Sequence, residues 1–166
     1  MTATERREAI TNRIIEETGI DEVMIERLVH AFYGKVRQDS TLGPVFEAKV
    51  EDWDLHLQRM CAFWSSVALL TGRYRGRPME KHMNLPVDHR HFDHWLALFR
   101  ETADEVCPPA AAQHFVERAE RIAESLELGI AGFHGHVLMQ GERLQRPDSA
   151  VHLPESSRRE RVEAGE

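Results

Sequence analysis

The chain has 166 residues, 42% of them hydrophobic, and a formal net charge of −7. That length suits a single domain with a proper core, and no run approaches the roughly 18 apolar residues that a membrane span needs. The acidic balance excludes a general attraction to nucleic acid or to anionic membranes, and the charged start MTATERREAI lacks an apolar signal region, so a cytoplasmic protein is expected.

Long helical patterns dominate, and alternating strand patterns are nearly absent. A weakly amphipathic segment, Thr4 to Thr18, carries Ala9, Ile10 and Ile14 and is broken by Gly19. Asp21 is a good N-cap for a second helix. That helix has Met24, Ile25, Leu28, Phe32 and Val36 at helical spacing, and it ends near Asp39 before the turn-rich Ser40-Thr41-Leu42-Gly43-Pro44. A third helix, Asp52 to Leu70, bears the stripe Met60, Phe63, Trp64, Val67. A loop from Thr71 to Pro78 leads to a short segment, Met79 to Leu85, closed by Pro86. Asp88 can cap the next helix, with Phe92, Trp95, Leu96, Phe99, Ala103 and Val106 on one face. Pro108 and Pro109 open the last long helix, which runs through Phe115, Ala119, Ile122, Leu126, Ile130 and Phe133. Beyond Gly141 the pattern fails in a stretch rich in Arg, Glu, Ser and Pro. The expected organisation is an N-terminal helical extension at 1–19, an all-α domain at 20–136 and a disordered tail at 137–166. Cys61 and Cys107 form no metal or redox motif and read as plain thiols.

Ten histidines is a high count for this length and directs attention to metal, haem or acid–base chemistry. His56 is followed by Met60, Phe63, Trp64 and Val67 at helical steps, so its imidazole lies on the apolar face. A buried imidazole needs a partner or a ligand; a satisfied core histidine serves the same pattern. His82, in Glu80-Lys81-His82-Met83-Asn84-Leu85-Pro86, reads on spacing alone as an exposed loop histidine, although Pro86 would hold it rigidly. Tyr33 sits at the border of its stripe, and Trp95 lies on an apolar face with an indole that can only donate. His89-Arg90-His91-Phe92-Asp93-His94 matches the H-x-H-x-D-H zinc string of metallo-β-lactamase-like hydrolases. That string needs a strand-rich sandwich around it, and here it opens an amphipathic helix, with His91 and His94 expected exposed or half-exposed. His134 and His136 look like a frayed helix end.

Taken in order, several segments carry a resemblance: Ala31-Phe32-Tyr33-Gly34-Lys35-Val36-Arg37, Leu42-Gly43-Pro44-Val45-Phe46, Ala62-Phe63-Trp64, Tyr74-Arg75-Gly76-Arg77-Pro78, Lys81-His82-Met83-Asn84-Leu85-Pro86 and Phe92-Asp93-His94-Trp95-Leu96-Ala97-Leu98-Phe99. This set resembles the third group of truncated haemoglobins from about residue 20 to residue 135. The glycine-glycine signals of the other truncated groups are absent, as expected for this one. The resemblance implies an all-α truncated globin, a two-over-two helical sandwich around haem b (iron protoporphyrin IX). It implies His82 as the iron ligand, with Tyr33, His56 and Trp95 as distal polar groups over the bound ligand. Phe46, Met60, Phe63, Met83, Phe92 and Trp95 are then the cofactor-packing residues, and Arg75, Arg77 and Lys81 are candidates for the propionates. The implied partners are O2 or another diatomic ligand and an external electron-donor reductase, in a monomer or weak dimer. Several donors around the ligand suit redox chemistry, such as nitric oxide dioxygenation or peroxide reduction, better than transport. The alternatives are a non-catalytic gas-binding or sensing globin and, further off, the zinc hydrolase.

Overall fold

The computed structural model describes residues 1–146, and among these it is built of seven helices with no strand. They are α1 (Ala3–Thr18), α2 (Glu22–Gln38), α3 (Gly43–Glu47), α4 (Trp53–Leu69), α5 (Pro78–His82), α6 (His89–Val106) and α7 (Pro109–Phe133).

The helix starts follow from their caps. Asp21 accepts the Met24 N–H at 2.8 Å, Asp52 accepts the Leu55 N–H at 3.1 Å, and Asp88 accepts the Arg90 N–H at 3.0 Å. Each carboxylate satisfies a donor that the first helical turn leaves without an intrahelical acceptor, and its charge complements the helix dipole. Thr2 and Glu5 form a reciprocal capping box at α1. Gly19, at φ 72, ends that helix in the left-handed region.

The pair α2/α4 lies against the pair α6/α7, with α2 in contact with both α4 and α6. Their shared core is aromatic. Trp64 of α4 stacks on Phe99 of α6 at 5.0 Å and meets Phe115 of α7 edge-on at 6.1 Å, while Phe32 of α2 meets Phe99 at 5.2 Å. Offset and edge-to-face pairs of this kind add to the area they bury. Helix α1 buries no residue and rests along α7 and α4, where Thr11 donates to the Leu69 carbonyl.

Two segments differ from the sequence expectation. Residues 43–47, expected only as part of a turn, form the short helix α3. It is prepared by the Asp39 carboxylate, which accepts the N–H groups of Thr41 (3.0 Å) and Leu42 (2.8 Å), and by Pro44 in its first turn. Gly43 fits closely there: a Cβ would stand 3.1 Å from the Arg37 carbonyl oxygen, so a larger residue needs the backbone to give by a few tenths of an ångström. The contacts of the chain also continue past residue 137. Leu144 is 2% exposed and packs with Val87, Ile130 and Ala131 in a second apolar cluster. The remainder of the expected tail, 147–166, lies outside the described residues.

Asp21→Ala removes one cap and little else. It should lower stability by about 1 kcal/mol, a fall in Tm of roughly 2–4 °C for a domain of this size, with Asp21→Ser recovering most of it. Thermal unfolding followed by circular dichroism checks this.

Candidate functional site

Between the two helix pairs, closed by α3 and α5, is a cavity of about 700 Å³. That is within the range of cofactor and substrate pockets. Its wall is mostly apolar. Phe46 comes from α3, Met60 and Phe63 from α4, Phe92 from α6, and Leu126 from α7. Tyr33, His56, Trp95 and His82 also face it, so the structure brings together the expected iron ligand, the distal groups and all of the expected packing residues except Met83. Met83 caps the end of α5, half-buried, off the cavity wall.

His82 is the last residue of α5. Its Nδ1 donates to the Pro78 carbonyl one turn back, at 2.5 Å. In the neutral ring this places the proton on Nδ1 and leaves the Nε2 lone pair unshared. Burial depresses the His82 pKa, aided by Lys81 and opposed by the Pro78 bond, so the neutral form is favoured.

His56 sits within a ring of aromatic side chains. Tyr33 meets it edge-on at 5.0 Å, Trp53 at 5.5 Å and Phe46 at 6.4 Å. Its Nε2 is buried and finds no hydrogen-bond partner among the described residues; neither does the indole Nε1 of Trp53. Burial, together with the neighbouring cations Lys81 and Arg59, lowers the His56 pKa from 6.5 to about 4. Tyr33 is 5% exposed, and burial raises its pKa well above the ordinary phenol value, so its hydroxyl stays a protonated donor. Trp95 stacks on Phe99 at 5.5 Å and meets Phe32 at the same distance.

Trp53 was not singled out from the sequence. Its signal is its position: it opens α4, three residues before His56 and on the same face. Arg37 lies over its ring at 4.5 Å, tying α2 to the start of α4. The cations on the cavity wall are Lys49, Arg59 and Lys81. Arg75 and Arg77 are not on that wall, and Arg77 pairs instead with Glu80 at 3.2 Å on the surface.

The zinc-like string diverges. His89 donates from Nδ1 to the Leu144 carbonyl (2.7 Å), and His94 Nε2 meets Asp39 at 2.6 Å. His91 is not exposed as expected but 6% exposed, because it folds back so that its Nδ1 accepts the Asp88 N–H at 3.2 Å. Among the described residues no three His, Cys, Asp or Glu side chains converge on a metal position.

The comparisons with known proteins agree with this geometry. A family model described as bacterial-like globin matches residues 13–127. The group 3 truncated hemoglobin ctb of Campylobacter jejuni is 33% identical over 122 residues, which span 70% of this chain and 96% of that protein. The crystal structure of group III truncated hemoglobin from Campylobacter jejuni matches with a TM-score of 0.60 at 34% identity, covering 64% of this chain and 88% of that one.

The unfolded chain takes up a proton at His56 near pH 6.5 and the folded chain only near 4, so falling pH over that window favours unfolding. His56→Leu should therefore show a shallower loss of Tm than the parent chain from pH 6.5 to 4. Parallel profiles would contradict the assignment.

Proposed function

The chain belongs to the bacterial-like globin family and, within it, to the group III truncated haemoglobins; from that premise we propose that it holds haem b through His82 and binds O2, CO or NO for redox chemistry. The observation that carries this reading is one cavity faced by two kinds of imidazole. His82 has its Nδ1 engaged and its Nε2 lone pair available, while His56 has a buried Nε2 without a partner.

The residues fit the group. A histidine ligand to haem iron donates its second nitrogen to a carbonyl or carboxylate, which fixes the ring and makes the ligating nitrogen more basic. The Pro78 carbonyl serves His82 in this way. A flat apolar macrocycle suits the walls formed by Phe46, Met60, Phe63 and Phe92. Lys49, Arg59 and Lys81 place positive charge where carboxylate substituents would need it. When bound, haem supplies an iron that takes a diatomic ligand and exchanges electrons with it.

Around that ligand the chain supplies neutral polar groups. Tyr33 keeps its phenolic proton, and Trp95 can only donate. His56, neutral above about pH 4, can hold or pass one proton at a ring nitrogen. Donors fixed in a site of low polarity stabilise developing negative charge strongly. Such a pocket retains its ligand, which favours nitric oxide dioxygenation or peroxide reduction over transport. The electrons are supplied by an external reductase.

His82→Gly should lose haem or leave it weakly held, with added imidazole restoring it; undiminished retention and an unchanged spectrum would remove His82 from the role. Tyr33→Phe should release O2 about tenfold faster, the effect of one hydrogen bond to a charged acceptor. Stopped-flow measurement with an unchanged rate would leave the stabilisation to Trp95 and His56. Steady consumption of nitric oxide or peroxide in the presence of a reductant separates redox turnover from simple gas binding.

A further inference from the structure

Residues 143–146 lie beyond the part of the chain that the family model matches, which ends at residue 127. They nevertheless make a dense set of bonds to the segment that follows His82. Arg143 binds both carboxylate oxygens of Glu127 on α7, at 2.8 and 2.7 Å, and also reaches Asp93 of α6 at 2.8 Å. The Leu144 N–H donates to Glu127 at 3.3 Å. The Leu144 carbonyl accepts both the backbone N–H (2.9 Å) and the ring Nδ1 (2.7 Å) of His89. Arg146 donates from Nε to the Val87 carbonyl at 2.7 Å, and its backbone N–H reaches Asp88 at 3.3 Å.

Several of these groups are withdrawn from water. Glu127 is 5% exposed, Asp88 is fully buried, and the Leu144 side chain fills the cluster of Val87, Ile130 and Ala131 that Leu85 and Phe92 flank. Charge-assisted bonds in such surroundings are strong, and removing one partner leaves the other uncompensated. The bonded segment, 87–93, is joined to His82 through the four residues 83–86, stiffened by Pro86, and the Leu85 N–H bonds back to the His82 carbonyl at 3.1 Å. Leu85, Val87, His91 and Phe92 also line the cavity.

We propose that residues 143–146 are a positioning strap for the iron-ligand side of the pocket, clamping segment 85–93 to α7 and so setting how the His82 ring is presented to the cavity. This rests on the reading of His82 as the iron ligand. The strap has no direct contact with the ligand; it acts through the backbone between His82 and α6.

Two measurements on Arg143→Ala and Leu144→Ala test it, with Arg143→Lys as the conservative variant. In the haem-free chain, amide hydrogen exchange at 85–93 should speed by about tenfold in Arg143→Ala, as expected for losing a charge-assisted bond, and should also speed in Leu144→Ala through lost packing, while α2 is unaffected. In the ferrous haem-loaded chain, the iron–histidine stretching band in the resonance Raman spectrum should shift or broaden, and Arg143→Lys should recover part of the parent band. Arg100→Ala, which removes a surface ion pair between α6 and α7, should leave that band in place. Unchanged exchange at 85–93, or faster exchange with an unmoved band, overturns the proposal. Should the alanine variants fail to fold, Arg146→Gln, which loses the side-chain bond to Val87 and the positive charge near Asp88 but keeps its backbone bond, carries the same two measurements. A band that survives His82→Gly would instead refute the ligand reading, and it would do so whatever the exchange data show.

Discussion

A helix of five residues cannot hold itself together: nucleation is unfavourable, and one turn returns few hydrogen bonds. Helix α5 is such a helix, and it carries His82. Its shape therefore depends on what surrounds it. Pro78 presets the first turn, and the His82 ring bonds back to the Pro78 carbonyl. Met79 packs so closely on α7 that a Cβ at Gly129 would meet its sulfur. The Leu85 N–H closes the far side on the His82 carbonyl. The rest of the pocket takes its form from that docking, because the cavity is the space left between α5 and the distal faces of α2, α4 and α6.

Three polar groups that face the cavity, Tyr33, His56 and His82, are held in neutral forms. Burial keeps Tyr33 protonated and His56 and His82 unprotonated. Leaving the His56 Nε2 and Trp53 Nε1 buried without partners costs on the order of 1–3 kcal/mol each, which the aromatic core around Phe32, Trp64 and Phe99 can carry. At His56, which faces the cavity, such a site is prepared for a polar ligand. Pre-formed donors of this kind need no reorganisation when charge develops beside them.

Much of the scaffold could be read from the chain. The aspartates at 21, 52 and 88 mark three helix starts, and the stripes ending in Phe32, Trp64 and Phe99 identify the core. The faces that Tyr33, His56 and Trp95 occupy follow from helical position, but their grouping into one site comes from the resemblance. His82 does not: spacing alone gives a loop histidine, and only the ordered set of motifs points to it. Helix α3 is too short to show a period. His91 was misplaced because periodicity describes a helix face, whereas at a helix start the side chain can turn back onto the cap. The strap at 143–146 has no period at all. Its arginines resemble a solvated tail until Glu127, Asp93 and Asp88, distant in sequence, are seen beside them.

The central claim is that this cavity holds haem through a histidine. The direct measurement is to titrate haemin into the purified chain, reduce it with dithionite, add carbon monoxide and record the visible spectrum at each stage. Haem held through His82 would give saturation at one haem per chain and a ferrous–CO Soret band of the kind given by histidine-ligated haem. A folded chain that takes up no haemin, or whose ferrous–CO spectrum excludes a histidine ligand, would contradict it.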